Sequence, residues 1–99
     1  MLLIAGTIRL PADRLAAARP AMRAMVEASR AEPGCLDYSY AEDVLDPGLI
    51  HVAERWQDRA ALERHFTMPH LSAWRACWAA LGIGERHLML YVVAEAGAI

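Results

Sequence analysis

A chain of 99 residues with 57% hydrophobic content, 22% charged content and a formal charge of -2 fits one globular domain, residues 1–99, with material for a single core. Its ten basic residues are all arginines scattered along the chain, which excludes the basic stripe that a nucleic-acid backbone requires. No apolar run approaches the ~18 residues of a membrane span, and Met1 to Gly6 lacks the positive start of a signal peptide, so no membrane association and a cytoplasmic location are expected.

The first predicted strand runs from Leu2 to Leu10, rich in aliphatic and β-branched residues and closed by Pro11, which cannot continue a ladder. Beyond Ala12, Leu15, Ala18, Met22, Met25, Val26 and Ser29 fall three or four apart with arginines and Glu27 opposite, an amphipathic helix. An interior proline costs about 3 kcal/mol, so Pro20 is expected in the first turn of that helix, with residues 12–18 as a lead-in. Glu32-Pro33-Gly34 stops it. In Cys35–Ala41 the alternation places Leu36, Tyr38 and Tyr40 on one strand face and Cys35, Asp37, Ser39 and Ala41 on the other.

Leu45-Asp46-Pro47-Gly48 supplies turn chemistry, and the third strand, Leu49–Trp56, sets Ile50, Val52, Glu54 and Trp56 along one face. A carboxylate thus lies in line with three apolar residues. Asp58 is an expected N-cap for a helix through Ala61, Leu62, His65 and Phe66, and its periodicity turns His65 inward. After Met68-Pro69, Leu71, Trp74, Trp78 and Leu81 mark one further helix ending at Gly82. The last strand, His87–Ala94, is apolar at nearly every position, as is most of the first. His87 itself is expected in solvent, and Cys35 and Cys77, far apart in sequence, as free and mostly buried thiols.

The order β-α-β-β-α-β is the ferredoxin-like α+β arrangement, an antiparallel sheet with helices on one face. Near-continuous apolar strands imply cover on both faces, so a homodimer packed sheet to sheet is expected.

Several junctions recur together: Glu32-Pro33-Gly34-Cys35-Leu36-x-Tyr38, Asp46-Pro47-Gly48, Glu54-x-Trp56 with Asp58, and His65 with Pro69-His70. In them the chain resembles, over nearly its whole length, the antibiotic biosynthesis monooxygenase family, which includes small quinol monooxygenases. That resemblance implies oxidation of a small electron-rich aromatic (quinol, phenol or anthrone) by dioxygen without a cofactor. His65 would remove a proton, helped by Glu54, while Trp56, Trp74, Tyr38 and His70 hold the ring. A carboxylate near an imidazole fixes its tautomer and raises its basicity, although Glu54 and His65 can equally be structural. Trp78 reads as core.

No metal site stands out, because His65 and His70 are five apart rather than at the i,i+4 spacing of a helical metal pair. No phosphate-cradling loop or flavin motif is present, which is why the electrons are expected from the substrate. A haem-degrading branch of the same kin uses an asparagine on the first strand, where this chain offers only Thr7. Two alternatives stay open: an isomerase of a small phosphorylated ligand anchored by Arg55 or Arg75, and a non-catalytic ligand-binding dimer.

Overall fold

A computed structural model describes residues 1–99. Four strands, Leu2–Arg9 (β1), Cys35–Glu42 (β2), Leu49–Trp56 (β3) and Glu85–Val92 (β4), pair antiparallel in the order β2-β3-β1-β4. The helices Leu15–Arg30 (α1), Arg59–Phe66 (α2), Pro69–Ala76 (α3) and Trp78–Leu81 (α4) lie on one face of this sheet. This is the ferredoxin-like α+β fold that the element order dictates.

The core forms where that helix layer meets the sheet. Leu2, Ile4 and Ile8 of β1, Tyr38 of β2, and Ile50, Val52 and Trp56 of β3 meet Leu15, Ala18, Met22 and Met25 of α1 and Leu62, Leu71 and Trp74 of the later helices. Alternation along β3 is strict, with Ile50, Val52, Glu54 and Trp56 buried and His51, Ala53 and Arg55 exposed. One carboxylate is therefore carried into the core by the strand that supplies its apolar floor.

The structure differs from the sequence-based expectations in three places that matter. Pro20 lies inside α1, which begins at Leu15, and only Ala12–Arg14 forms a separate 3-10 turn. Pro20 and Ala16, whose carbonyl loses its helical partner, are both exposed, so water can satisfy that group while Leu15 and Ala18 stay buried. In β2 a bulge between Cys35 and Asp37 sets Leu36 outside the ladder. Cys35 then joins Tyr38 on the helix side, and Leu36 is left 49% exposed. The helix expected after Pro69 breaks at Cys77 into α3 and α4, and Cys35 and Cys77 are free thiols of intermediate burial.

No helix covers the opposite sheet face. Its central row is Ser39, Ala53, Ala5 and Met89, flanked by Leu3 and Tyr91, while Asp37, Arg55, His51, Arg9 and Glu85 stand around it. No helix is long and apolar enough to cross a membrane.

Candidate active site

The site is assembled from two chain reversals and the floor of the sheet. The first follows α1. The Glu32 amide donates to Ser29 O at 3.1 Å and its carbonyl accepts from the Cys35 amide at 3.1 Å, which fixes the direction of the glutamate. Gly34 closes that turn at φ 83°, and a Cβ there would lie 2.6 Å from the Ala61 Cβ. Only glycine lets this turn press against the start of α2. The second reversal ends α2: Asp58 caps its start, accepting from the Ala61 amide at 2.9 Å, and Thr67-Met68 stops it before Pro69 begins α3. His65 in the last turn of α2 and His70 in the first turn of α3 then lie side by side, ring centroids 6.1 Å apart.

Glu32 serves both rings. Its Oε2 accepts from His65 Nδ1 at 2.6 Å and from His70 Nε2 at 2.8 Å. Because the carboxylate accepts, the partners assign the His65 proton to Nδ1 and leave Nε2 as an acceptor. Nε2 faces the Tyr38 hydroxyl at 3.3 Å. Burial lowers the His65 pKa below its ordinary 6.5, against the pull of Glu32, so the ring is neutral at pH 7. It is held between Trp56, 4.7 Å away between centroids, and the edge of Tyr38 at 5.3 Å.

Past His65 a cavity of about 350 Å³ opens between the sheet and α2 to α4. Its polar groups are Tyr38, Tyr40, Glu54, His65, Arg75 and Arg86, set among aliphatic and aromatic walls that include Trp78. Burial pushes the Glu54 carboxyl up to about 7, opposed mainly by the Trp56 indole N–H, which donates to Oε1 at 3.1 Å. Burial, then Tyr40, drives the Tyr38 phenol far upward, so it stays protonated. The arrangement thus puts one proton-accepting nitrogen and one carboxyl that titrates near neutrality on the wall of a largely apolar chamber.

Among the sequence-derived candidates, His65, Glu54 and Tyr38 share this cavity. The hydrogen-bonded carboxylate of His65 is Glu32, whereas Glu54 bonds Trp56. Three expected ring-holding residues lie elsewhere. Trp56 is fully buried beneath His65, Trp74 is packed against Tyr40 in the core, and His70 turns toward Glu32. Trp78, expected as core, packs against the core beside Trp74 and also lines the cavity, and its buried indole N–H has no partner. Two site residues escape the sequence reading: Glu32 stands in the Pro-Gly junction, where it reads as a helix stop, and Arg86 precedes the expected last strand, so neither carries a chemical signal of its own.

A ferredoxin-like α+β domain with a buried imidazole at the wall of an aromatic-lined cavity is the class that fold and site define together. The sequence profile of the antibiotic biosynthesis monooxygenase family matches residues 1–76, and the chain belongs to that family. An uncharacterized protein of Synechocystis is 35% identical over 69 residues, 70% of this chain and 47% of that protein. A provisionally assigned monooxygenase of Mycobacterium tuberculosis, Rv0793, is 38% identical over 64 residues, 65% of this chain and 62% of its own length. The chain thus matches about half to under two thirds of these curated relatives. Among solved structures, a provisionally assigned family member from Deinococcus radiodurans superposes with a TM-score of 0.91 at 27% identity, covering 100% of this chain and 98% of that one. The Rv0793 structure gives 0.83 at 28% identity, covering 98% and 97%.

Proposed function

We propose that the protein is a cofactor-independent monooxygenase that oxidises a small electron-rich aromatic of phenol, quinol or anthrone type with dioxygen. The observation that carries this reading is the neutral His65, oriented by Glu32 so that Nε2, facing the Tyr38 hydroxyl at 3.3 Å, is its proton-accepting nitrogen at the cavity wall. A ring C–H or O–H placed beside Tyr38 would lose its proton to Nε2, directly or through the Tyr38 hydroxyl. The substrate anion gives its electrons to dioxygen. For an anthrone-type CH2 the balance is one O2 consumed, one oxygen kept as the new carbonyl and the other released as water. The protein contributes deprotonation, positioning and exclusion of solvent. Glu54, titrating near 7, is suited to return a proton to the leaving oxygen.

We further propose a sheet-to-sheet homodimer as the working form. The uncovered sheet face, small and apolar at its centre with charges around it, has the distribution of an interface core and rim.

One observation favours an isomerase of an anionic ligand: Arg75 and Arg86 both line the cavity and neither is engaged by a carboxylate. Arg55 faces Asp37 at 3.8 Å on the other side of the sheet, which leaves Arg75 as the anchor for that reading. Turnover of an anthrone under ¹⁸O₂ separates the two. Incorporation of one labelled oxygen per product, lost in His65→Ala, is the outcome expected of the oxygenase; no labelled product, with anaerobic conversion of a small phosphorylated ligand, would favour the isomerase.

A further inference from the structure

We propose that Glu32, His65 and His70 form a binding site for one divalent transition-metal ion, on the side of His65 turned away from the cavity. Three ligand-type atoms converge there. Glu32 Oε2, His65 Nδ1 and His70 Nε2 all lie within 4.8 Å of one another, and the oxygen is 2.6 and 2.8 Å from the two nitrogens. Two imidazole nitrogens and one carboxylate oxygen suit Zn²⁺ and its first-row neighbours, whereas Ca²⁺ and Mg²⁺ take oxygen cages. A tetrahedral ion with bonds of about 2.0–2.2 Å needs ligand edges of roughly 3.3 Å. Glu32 would therefore recede by under about 1 Å while the two ring nitrogens, which lie within 4.8 Å of each other, close toward that edge, movements open to a glutamate with three rotatable bonds and to the partly exposed His70.

The surroundings favour an ion at this point. The Glu32 side chain is only 7% exposed and no arginine reaches it; its polar partners are the two rings alone. A buried carboxylate without a fixed cation is costly, and an ion in the midst of the three groups supplies that charge. His70 is 21% exposed, which leaves an entry path and an outer coordination position for water. With Nδ1 on the metal, the remaining His65 proton sits on Nε2 and points at the Tyr38 hydroxyl 3.3 Å away, the orienting bond that ligand histidines make with their second nitrogen. The spacing of five residues conceals this site because the helix break at Met68-Pro69 separates the histidines, and the third ligand arrives from the end of α1.

An ion held there has a functional consequence. It turns His65 from a proton acceptor toward the cavity into a donor, so the loaded form cannot take a proton from a substrate. The binding itself is read without any activity. Calorimetric titration of the chelator-treated, dialysed full chain with Zn²⁺ is expected to show one ion per chain with a dissociation constant on the order of micromolar or tighter. Glu32→Gln and His70→Ala should each weaken it at least about tenfold, with circular dichroism confirming that both variants fold, while His51→Ala and His87→Ala leave it unchanged. Absence of saturable binding by the unaltered chain would overturn the proposal. So would binding that survives His70→Ala and Glu32→Gln, or disappears in His51→Ala or His87→Ala, since the ion would then sit on a surface histidine. Oxygen uptake plays no part in this measurement, so either proposal can fail without the other.

Discussion

Glu32 and Glu54 are both buried glutamates close to the His65 wall, yet their contacts give them different chemistry. Glu32 accepts from two imidazoles, while Glu54 accepts from the Trp56 indole N–H in a setting where burial outweighs that bond and the Arg75 charge, which brings its carboxyl up to about 7 from an ordinary 4.5. A carboxyl that holds its proton more tightly when folded stabilises the fold below pH 4.5 and loses that contribution as pH rises through 7. Urea unfolding should therefore show the stability of the unaltered chain, relative to Glu54→Gln, falling by on the order of 3 kcal/mol across that window; a flat difference would contradict the burial of Glu54. His65 has the opposite sign. Its folded pKa lies below 6.5, so its protonation disfavours the fold on the acid side, and base-dependent activity should decline only below about pH 6.5. A profile already falling well above that would assign the base to another group. Sequence alone placed a carboxylate and a histidine in one neighbourhood but paired His65 with Glu54. The partner comes from a residue 33 positions away, and no periodicity reports a contact between the turn after α1 and the last turn of α2.

The elements themselves were largely legible, because β3 alternates without fault and Asp58 caps α2 as its position implied. What local pattern did not carry were the interruptions. The bulge that frees Leu36, the break at Cys77 that divides α3 from α4, and the interior Pro20 are all settled by packing against other elements. Gly34 shows how one such interruption builds the site, since its positive φ and its approach to Ala61 hold the Glu32 turn against α2. Gly34→Ala should cost about 1–3 kcal/mol and, by letting Glu32 recede, loosen the Glu32–His65 bond; the His65 ring resonances in NMR should shift in the folded variant. Unchanged stability and unchanged resonances would show that the turn tolerates a Cβ. Asp58→Ala, by contrast, removes one cap bond and should lose about 1 kcal/mol in denaturant unfolding while leaving those resonances in place.

For the whole molecule, a helix layer on one sheet face and none on the other leaves Met89 60% and Tyr91 47% exposed beside a row of small residues. A second copy would cover them. Light scattering at micromolar concentration should give about twice the 10.9 kDa chain mass, and a monomer at that concentration would remove the sheet-to-sheet dimer. The cavity belongs to the helix side, so a single chain carries its own proton acceptor, His65. Oxygen uptake by the chelator-treated protein with a panel of hydroquinones and anthrones, compared with His65→Ala, tests it most directly. Uptake above the spontaneous rate that drops by about 10²- to 10⁴-fold in the variant is the predicted result; uptake equal in both proteins, or absent for every substrate, would contradict it.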